Sequence, residues 1–413
     1  MSAARFARRN EGIHGVAVFN RLLLLAAMVT LVGACGAPNA PLTHDAYVWQ
    51  RQWTPGLRDA VDASSDLVRA WHVLVAQADR DGRFHRFAPD RDTLARSRRP
   101  VVLVVRIDGR LARFDPTALT ARIVSVVQDW PGAAGLEIDY DCPTARLPAY
   151  TAFLRDLKSR LPGVPLSITA LPTWNGSTAL DDLLEVPNDA VLQVHAVQAP
   201  QAGLFDPAVA TAWIDAFARH THKPFRVALP TYGSRVSWNA DGSLLSVESE
   251  AAALAAGAEA AELYAAPSTV RDFVAGLNRD RPAGLVGLVW FRLPTPQDTR
   301  AWSLATWRGV VTGRLAVATP RIVLQAGRGG DAPSDVIVDN PGDSDIAPPP
   351  VVRLPATCHL ADGIDGYTLR RTAQALELVA TLARPIPARG RRAIGWARCR
   401  PDSPPPQQGS PVS

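Results

Sequence analysis

Short apolar runs alternate with amphipathic stretches from about His44 to Gly313. Eight of the runs are rich in β-branched residues and predict β-strands. Most of them are nearly continuous in apolar character, which is typical of parallel strands that helices cover on the outside. The predicted strands are Tyr47–Trp53, Trp71–Ala78, Val101–Ile107, Gly135–Asp141, Pro165–Leu171, Val191–Val197, Phe225–Pro230 and Gly284–Phe291.

The stretches between these runs carry apolar residues at helical spacing. One stripe consists of Leu119, Ile123, Val127 and Trp130, and a second runs from Tyr150 to Leu161. Eight strands with intervening helices over residues 45–313 predict a closed (β/α)₈ TIM barrel, an α/β fold. An open, doubly wound sheet is the alternative. The alanine-rich stretch Glu248–Ala266 predicts a helix on the outside.

The pattern changes after Gly313. Short strand-like runs separated by Gly, Pro and Asp predict a small all-β sandwich domain over residues 314–400, and the Pro/Gln/Ser-rich segment 401–413 predicts a disordered tail. The runs are Ile322–Gln325, Asp335–Val338, Tyr367–Arg371 and Ala375–Leu382.

The amino terminus has the pattern of an export signal. A leader with four arginines precedes the uncharged, mostly apolar run Leu22–Ala34, which is too short to span a bilayer. Small residues directly before Cys35 resemble a bacterial lipobox, so we expect a signal peptide over 1–34, a lipid on Cys35 and a tether over 35–44. An ordinary cleaved signal is the alternative. Both interpretations predict export. Lipidation of Cys35 further predicts a membrane-anchored lipoprotein of the cell envelope.

Charge and cysteine content narrow the function classes. Without the leader, the formal charge falls from +5 to about +2, which does not suggest binding to nucleic acid. The chain has no Gly-rich phosphate loop, no G-x-S-x-G and no H-E-x-x-H, and we expect no cofactor and no metal. Cys358 and Cys399 bracket the C-terminal segment and are candidates for a disulfide, whereas Cys142 stands alone beside an acidic cluster.

That acidic cluster belongs to the segment Gly135–Pro143. Because strand side chains alternate, Glu137, Asp139 and Asp141 share one face of the predicted strand. If the apolar face meets the helices, three carboxylates point into the barrel, and Asp141 lies nearest the C-terminal mouth, where barrel enzymes keep their chemistry. Like charges at this spacing raise at least one pKa, so an acid can keep its proton near neutral pH.

Gly135–Pro143 resembles the fourth-strand signature of the chitinase-like family-eighteen glycoside hydrolases. Two further segments match in the same order: Ala228–Gly233 is similar to the family's seventh-strand motif, and Gly287–Trp290 to its eighth, whose tryptophan floors the sugar site. The resemblance implies that Asp141 is the proton donor and that Glu137 and Asp139 are supporting acids. With its lipobox and C-terminal β-domain, the chain also resembles a bacterial lipoprotein family described only as a domain of unknown function.

The sequence departs from the family pattern at three places. Asp141 replaces a glutamate, Ala134 replaces an acid, and Gln193 and His195 stand where the family presents a tyrosine to an acetamido group. If the chain is a hydrolase, the resemblance implies that Asp139 orients a substrate acetamido group that acts as internal nucleophile. Without such a group, Asp139 itself would act as nucleophile or base.

Other side chains at predicted strand ends are candidates for substrate contact. Aromatic faces there can stack on sugar rings. These candidates are Trp290, Tyr232, Trp174, Trp49, His195, Gln193 and Arg106.

The sequence therefore predicts a glycoside hydrolase that acts on an envelope or extracellular polysaccharide. A non-catalytic carbohydrate-binding lipoprotein and an envelope scaffold with a degenerate barrel are the alternatives.

Overall fold

A computed structural model describes residues 40–111, 113–195, 204–238, 244–248, 259–316, 318–327, 332–381 and 384–400. The predicted leader, Cys35 and the tail lie outside these ranges. Within them, no helix is long and apolar enough to cross a membrane. The strands up to the end of the barrel are β1 (Thr43–Val48), β2 (Trp71–Ala78), β3 (Phe84–Arg86), β4 (Val101–Ile107), β5 (Gly135–Tyr140), β6 (Leu166–Ala170), β7 (Asp189–Gln193), β8 (Phe225–Pro230), β9 (Gly233–Trp238), β10 (Leu244–Glu248), β11 (Glu259–Tyr264) and β12 (Leu285–Phe291).

In the described part of the chain, eight parallel strands close a barrel. Their order around it is β1-β2-β4-β5-β6-β7-β8-β12, and β12 pairs back onto β1. The predicted (β/α)₈ barrel is confirmed, and the open sheet is excluded by the pairing of β1 with both β2 and β12. Three strands have the predicted bounds, and β1 begins four residues earlier than expected.

Helices cover the outside of the barrel. Several begin at side-chain caps followed by proline: Asp115 accepts a hydrogen bond from the backbone of Ala118, and Asp206 from that of Val209. Their apolar faces join the outward faces of the strands in one large hydrophobic cluster. The helices are α1 (Pro55–Ser64), α2 (Arg91–Ser97), α3 (Pro116–Gln128), α4 (Leu147–Arg160), α5 (Ala179–Leu184), α6 (Pro207–Ala218), α7 (Pro267–Arg279) and α8 (Leu304–Val311).

A three-stranded antiparallel sheet follows β8. It has the order β10-β9-β11, and β11 pairs along its whole length with β9. The prediction of a helix over Glu248–Ala266 is therefore wrong for Glu259–Tyr264. Pairing with β9 overrides the helical preference of alanine, since propensity is worth only a few tenths of a kcal/mol per residue.

The C-terminal segment forms two antiparallel sheets. One has the order β13-β14-β19-β16 and the other β15-β18-β17. Side chains from both, including Val336, Leu378 and Ile394, form one separate hydrophobic cluster, as expected for a small sandwich. Cys358 and Cys399, the predicted candidates for a disulfide, form a disulfide bond. These strands are β13 (Arg321–Gln325), β14 (Ser334–Asp339), β15 (Val351–Arg353), β16 (Cys358–Gly363), β17 (Tyr367–Arg371), β18 (Leu376–Ala380) and β19 (Arg391–Cys399).

Candidate active site

Strand β5 presents its acids to the barrel interior. Its apolar residues Leu136, Ile138 and Tyr140 belong to the outer hydrophobic cluster beneath the helices. Glu137 and Asp139 lie on the opposite face, 0 % and 4 % exposed. Asp141 follows directly after the strand, at the carboxyl mouth of the barrel. The strand therefore carries its acids at increasing height toward the mouth.

Asp139 and Asp141 form an acid pair with few partners. Asp139 lies 3.9 Å from Arg106 Nε and 3.5 Å from the amide of Gln193, whereas Asp141 Oδ1 is buried without a hydrogen-bond partner. Burial raises the pKa of Asp139, the charge of Asp141 raises it further, and Arg106 opposes the shift. Burial also raises the pKa of Asp141. The pair therefore retains a proton well above the pH at which an ordinary aspartate ionises.

The loop after β4 fixes the position of Asp141. A Cβ atom on Gly109 would lie 2.0 Å from the carbonyl oxygen of Asp141, so only glycine allows the two backbones to come this close. The neighbouring Asp108 adds negative charge that contributes to the raised pKa of Asp141. Gly109 and Asp108 thus set the placement and the charge environment of Asp141.

Four rings cluster at the mouth of the barrel beside β1 and β12: those of Trp49, Phe291, His195 and Tyr232. The guanidinium of Arg106 lies 5.9 Å from the ring centroid of Trp49, and Trp49 contacts Phe291 edge to face at 5.0 Å. Phe291 also stacks on His195, whose Nδ1 lies 3.3 Å from the hydroxyl of Tyr232. Burial lowers the pKa of His195 to about 4, so its imidazole is neutral near pH 7.

A cleft of about 480 Å³ opens beside Trp49. The indole Nε1 of Trp49 is buried and has no hydrogen-bond partner. The remaining lining is rich in amide, hydroxyl and charged groups. It comprises Gln50, Arg51, Gln52, Arg292, Thr295, Gln297 and Asp298. A lining of many hydrogen-bonding groups beside one nearly buried indole suits a polyhydroxylated ligand.

The structure corrects two of the aromatic predictions. Trp290 and Trp174 are both 0 % exposed and lie in the hydrophobic cluster between strands and helices. Trp290 donates to His44 Nδ1, and Trp174 donates to the carbonyl oxygen of Cys142. Neither can stack on a sugar. On β12 the inward side chain at the mouth is Phe291, because strand alternation turns Trp290 outward.

Glu137 is placed to support Asp139 and not to contact a substrate. It lies one layer below the mouth, where Tyr47 donates to one carboxylate oxygen at 2.6 Å and His72 Nδ1 lies 2.8 Å from the other. With no exposed surface, it cannot reach a substrate. Its charge instead contributes to the raised pKa of Asp139 above it. Glu137 is therefore a positioning residue.

Sequence reasoning missed a second charged group, at the opposite, amino-terminal end of the barrel. There Asp45 accepts from Arg69 at 2.5 Å and lies 3.2 Å from Arg226 Nε. His72 stands between Asp45 and Glu137. The available signal was a charged or imidazole residue within three mostly apolar strands: His44 and Asp45 in β1, His72 in β2 and Arg226 in β8.

Cys142 is not a nucleophile in this setting. It is buried beside the acid pair, and burial raises the pKa of its thiol to about 12. A thiolate is therefore absent near neutral pH. Among the described residues, no group of three or more His, Cys, Asp or Glu side chains is arranged to hold a metal ion.

Two family models match this chain. A domain of unknown function, DUF3142, matches residues 97–296, which includes β5 and the acid pair. A second domain of unknown function, DUF8456, matches residues 324–400 in the C-terminal sandwich. No curated protein matches the chain at a significant level.

Solved structures with a similar backbone include chitinases and a spore cortex-lytic enzyme, and also a tryptophan synthase α-subunit from Pyrococcus furiosus. The spore cortex-lytic enzyme SleL from Bacillus cereus is 15 % identical, with a TM-score of 0.47 over 67 % of this chain and 75 % of that one. A chitinase from Chromobacterium violaceum is 13 % identical, with a TM-score of 0.47 over 67 % and 100 %. Chitinase ChiA74 from Bacillus thuringiensis is 10 % identical, with a TM-score of 0.45 over 87 % and 98 %.

Proposed function

We propose that this protein is a glycoside hydrolase that cleaves an envelope or extracellular polysaccharide. The observation that carries the proposal is the acid pair Asp139–Asp141 at the carboxyl mouth of the barrel. Glycosidic bond cleavage needs a protonated acid near neutral pH and a second carboxylate beside it. Burial of like charges side by side supplies that combination, because the two groups cannot both ionise easily.

The roles follow from the depth of each acid. Asp141 lies nearer the opening and donates its proton to the glycosidic oxygen as the bond from that oxygen to the anomeric carbon breaks. Asp139 lies deeper, between Arg106 and Gln193, and would be the ionised member of the pair when the shared proton lies on Asp141. There it would accept a hydrogen bond from a substrate acetamido group, whose oxygen attacks the anomeric carbon. Water then completes hydrolysis and returns the proton to the pair.

The groups beside the acid pair support a carbohydrate substrate. Trp49 offers a buried N–H without a partner next to a cleft lined by amide and hydroxyl groups. His195 is a neutral imidazole paired with Tyr232, so it can exchange hydrogen bonds with sugar hydroxyls without adding charge. The substrate therefore extends from the acid pair toward the Trp49 cleft.

The test is turnover by the full chain of an N-acetylated glycan and of its deacetylated counterpart, followed as newly formed reducing ends. We expect hydrolysis of the acetylated glycan and a loss of roughly 10²–10⁴-fold in Asp141→Asn, the range typical of a missing general acid. Asp66→Asn is the matched control, since it removes an exposed carboxylate that pairs with Arg308, away from the acid pair. Its turnover should remain within roughly tenfold of the parent.

Binding separates the hydrolase from the alternatives. Calorimetry should show that Asp141→Asn still binds the glycan, because it keeps the shape of the side chain. A parent that binds glycan without turning it over, and an Asp141→Asn variant that behaves identically, would make this a carbohydrate-binding protein. The absence of both binding and turnover would favour an envelope scaffold.

The proposal includes the localisation of the protein in the cell. An apolar leader that ends in small residues before Cys35 supports an exported lipoprotein, anchored where envelope polysaccharide lies within reach. Mass spectrometry of the protein from its native membrane should find a lipid on Cys35 as the first residue. An unmodified Cys35 would remove the anchor from the proposal and leave the acid pair unaffected.

A further inference from the structure

A second cavity lies at the amino-terminal end of the barrel, opposite the acid pair. Its volume is about 210 Å³, and residues at the starts of β2 and β4 to β8 line it. The polar part of the lining consists of Arg69, His72, Ser167, Asn188, Asp189 and Arg226. This end of a barrel is ordinarily the stabilising end, and the proposed hydrolase has no use for a cavity there.

Two buried polar atoms at this cavity have no hydrogen bond, the Nε2 atom of His72 and the hydroxyl oxygen of Ser167. His72 is 2 % exposed and its Nε2 has no hydrogen bond, since the nearest carboxylate oxygen, on Asp45, is 3.5 Å away. Ser167 is 8 % exposed and its hydroxyl also has no partner. An unsatisfied buried polar group costs about 1–3 kcal/mol. Two such groups facing one cavity provide two hydrogen-bonding positions for a bound polar ligand.

The unused hydrogen-bonding capacity consists mainly of donors. Asp189 is engaged by Arg226, and Asp45, just behind the lining, accepts from Arg69 and from the backbone of Ala70. By contrast, His72 Nε2 and the Ser167 hydroxyl have no hydrogen bond, and the nearest carboxylate oxygen to His72 Nε2 is that of Asp45 at 3.5 Å. Arg226 Nε lies 3.2 Å from Asp45 and is ion-paired with it. The pKa of His72, which burial alone would lower, is raised to about 9 by Glu137 and Asp45, so its free ring nitrogen carries a proton near pH 7.

We infer that the amino-terminal cavity binds a small oxyanion, either inorganic phosphate or a small carboxylate. Such a ligand offers mainly acceptors, and His72 Nε2 and the Ser167 hydroxyl offer matching donors. The guanidinium of Arg69 is half exposed and stands at the rim, where it attracts an anion from solvent. The site is independent of the acid pair, and it holds whether or not the protein cleaves glycans.

The test measures the melting temperature of the full chain at constant ionic strength. Phosphate and acetate are titrated separately against a bulky sulfonate that cannot enter the cavity. A ligand that binds the folded state raises the melting temperature along a saturating curve, whereas a general salting effect rises without saturation. We expect saturation with phosphate or with acetate, and the stronger response identifies the class of anion.

Ser167→Ala sharpens the test. It should fold normally without the anion, because the hydroxyl that it removes has no partner in the protein. It should weaken the affinity for the anion by roughly tenfold or more, as expected for one hydrogen bond to a charged group. Thr120→Val is the matched control, since it removes an equally buried, partnerless hydroxyl from α3 on the outside of the barrel.

Two results would overturn the inference. One is an equal, unsaturated response to the small anions and to the bulky sulfonate. The other is a saturating response that Ser167→Ala leaves unchanged, which would place the anion elsewhere. Loss of the response in Ser167→Ala together with its retention in Thr120→Val supports the amino-terminal cavity as the site.

Discussion

Asp45 and Asp139 stand at opposite ends of the same barrel interior. Both are buried, 0 % and 4 % exposed, yet their pKa values move in opposite directions. Burial alone would raise both. His72 and Arg69 hold the pKa of Asp45 below its usual range. Asp139 has Asp141 and Glu137 as neighbours, and the rise in its pKa is opposed by Arg106, 3.9 Å away, and by a hydrogen bond with Thr169. Partners, and not burial, decide whether an interior aspartate is charged.

The difference separates stability from function within one fold. At the amino-terminal end each acid is matched by a cation, so its charge is an element of the folded structure. At the carboxyl mouth two acids share one arginine, which leaves a pair that is costly to ionise and able to exchange a proton. Barrel enzymes keep their chemistry at this same end.

Removing the paired acid should have the largest effect on stability. We expect Asp45→Ala to lower the free energy of unfolding by about 3 kcal/mol, the lower end of the range for breaking a buried pair, because Arg226 and His72 then keep only Asp189 and Glu137 as partners. Chemical denaturation measures the change. Asp66→Ala is the control: it breaks an exposed pair with Arg308, and we expect a loss below about 1 kcal/mol. Equal losses in the two variants would remove the distinction between the ends.

A side chain added beside Asp141 at the mouth of the barrel should have the next largest effect on stability. Gly109→Ala places a Cβ against the Asp141 carbonyl, so the loop or the acid must shift, at a cost of about 1–3 kcal/mol. If the pair is catalytic, turnover should also fall by about 100-fold, the cost of a displacement near 1 Å. Gly176→Ala, where a Cβ meets no atom within 4 Å, should change neither quantity. Full activity in Gly109→Ala would show that the position of Asp141 does not matter.

The two ends should respond to pH with opposite signs. The raised pKa of Asp139 means that the stability from its protonated form is complete below its unfolded pKa, about 3.9, and is lost as pH rises toward the folded value. The lowered pKa of Asp45 means that its contribution is present above the unfolded pKa and is lost as pH falls. Asp139→Asn should therefore gain stability relative to the parent as pH rises, by on the order of 1 kcal/mol.

Melting curves from acid to alkaline pH measure this difference. A gap between Asp139→Asn and the parent that does not grow with pH would mean that Asp139 ionises like an ordinary aspartate. The acid pair would then lack its proton near neutral pH.

The smallest expected effect is on glycan affinity, and it tests whether Trp49 or Trp290 contacts the glycan. Trp49→Phe keeps a ring but removes the N–H, and we expect glycan affinity to fall by about threefold to tenfold. Trp290→Phe loses its bond to His44 on the outer side of the barrel, so it should change stability and leave affinity unchanged. Calorimetric titration of both variants distinguishes them. If Trp290→Phe weakened glycan binding and Trp49→Phe did not, Trp290 and not Trp49 would contact the glycan.

Much of the barrel was predictable because strand periodicity is local. Alternation on β5 placed Glu137, Asp139 and Asp141 on one face. The opposite face is apolar and was expected to pack against the helices, so the acidic face was predicted to point into the barrel. On β12, both Val289 and Trp290 are apolar, so the sequence alone does not tell which of them faces inward. The structure turns Trp290 toward the helices, and Phe291 takes the inner position.

Features that depend on contacts distant in sequence were not predictable. The strand Glu259–Tyr264 forms because β9 lies beside it, against the helical preference of its alanines. The paired charges at the amino-terminal end come from β1, β2 and β8, which only barrel closure brings together. The depth of Glu137, and hence its supporting role, follows from Tyr47 and His72, neither of which the acidic motif contains.

The most direct test of the contrast between the two ends is an NMR titration of the aspartate side-chain carboxyl carbons. Asp45→Asn and Asp139→Asn assign the signals. We predict that Asp45 remains ionised below the pH at which an ordinary aspartate gains its proton, while the Asp139–Asp141 pair still holds one proton near neutral pH. If all three groups titrated together near the usual aspartate value, the two ends would be electrostatically alike and the assignment of the acid pair would fail.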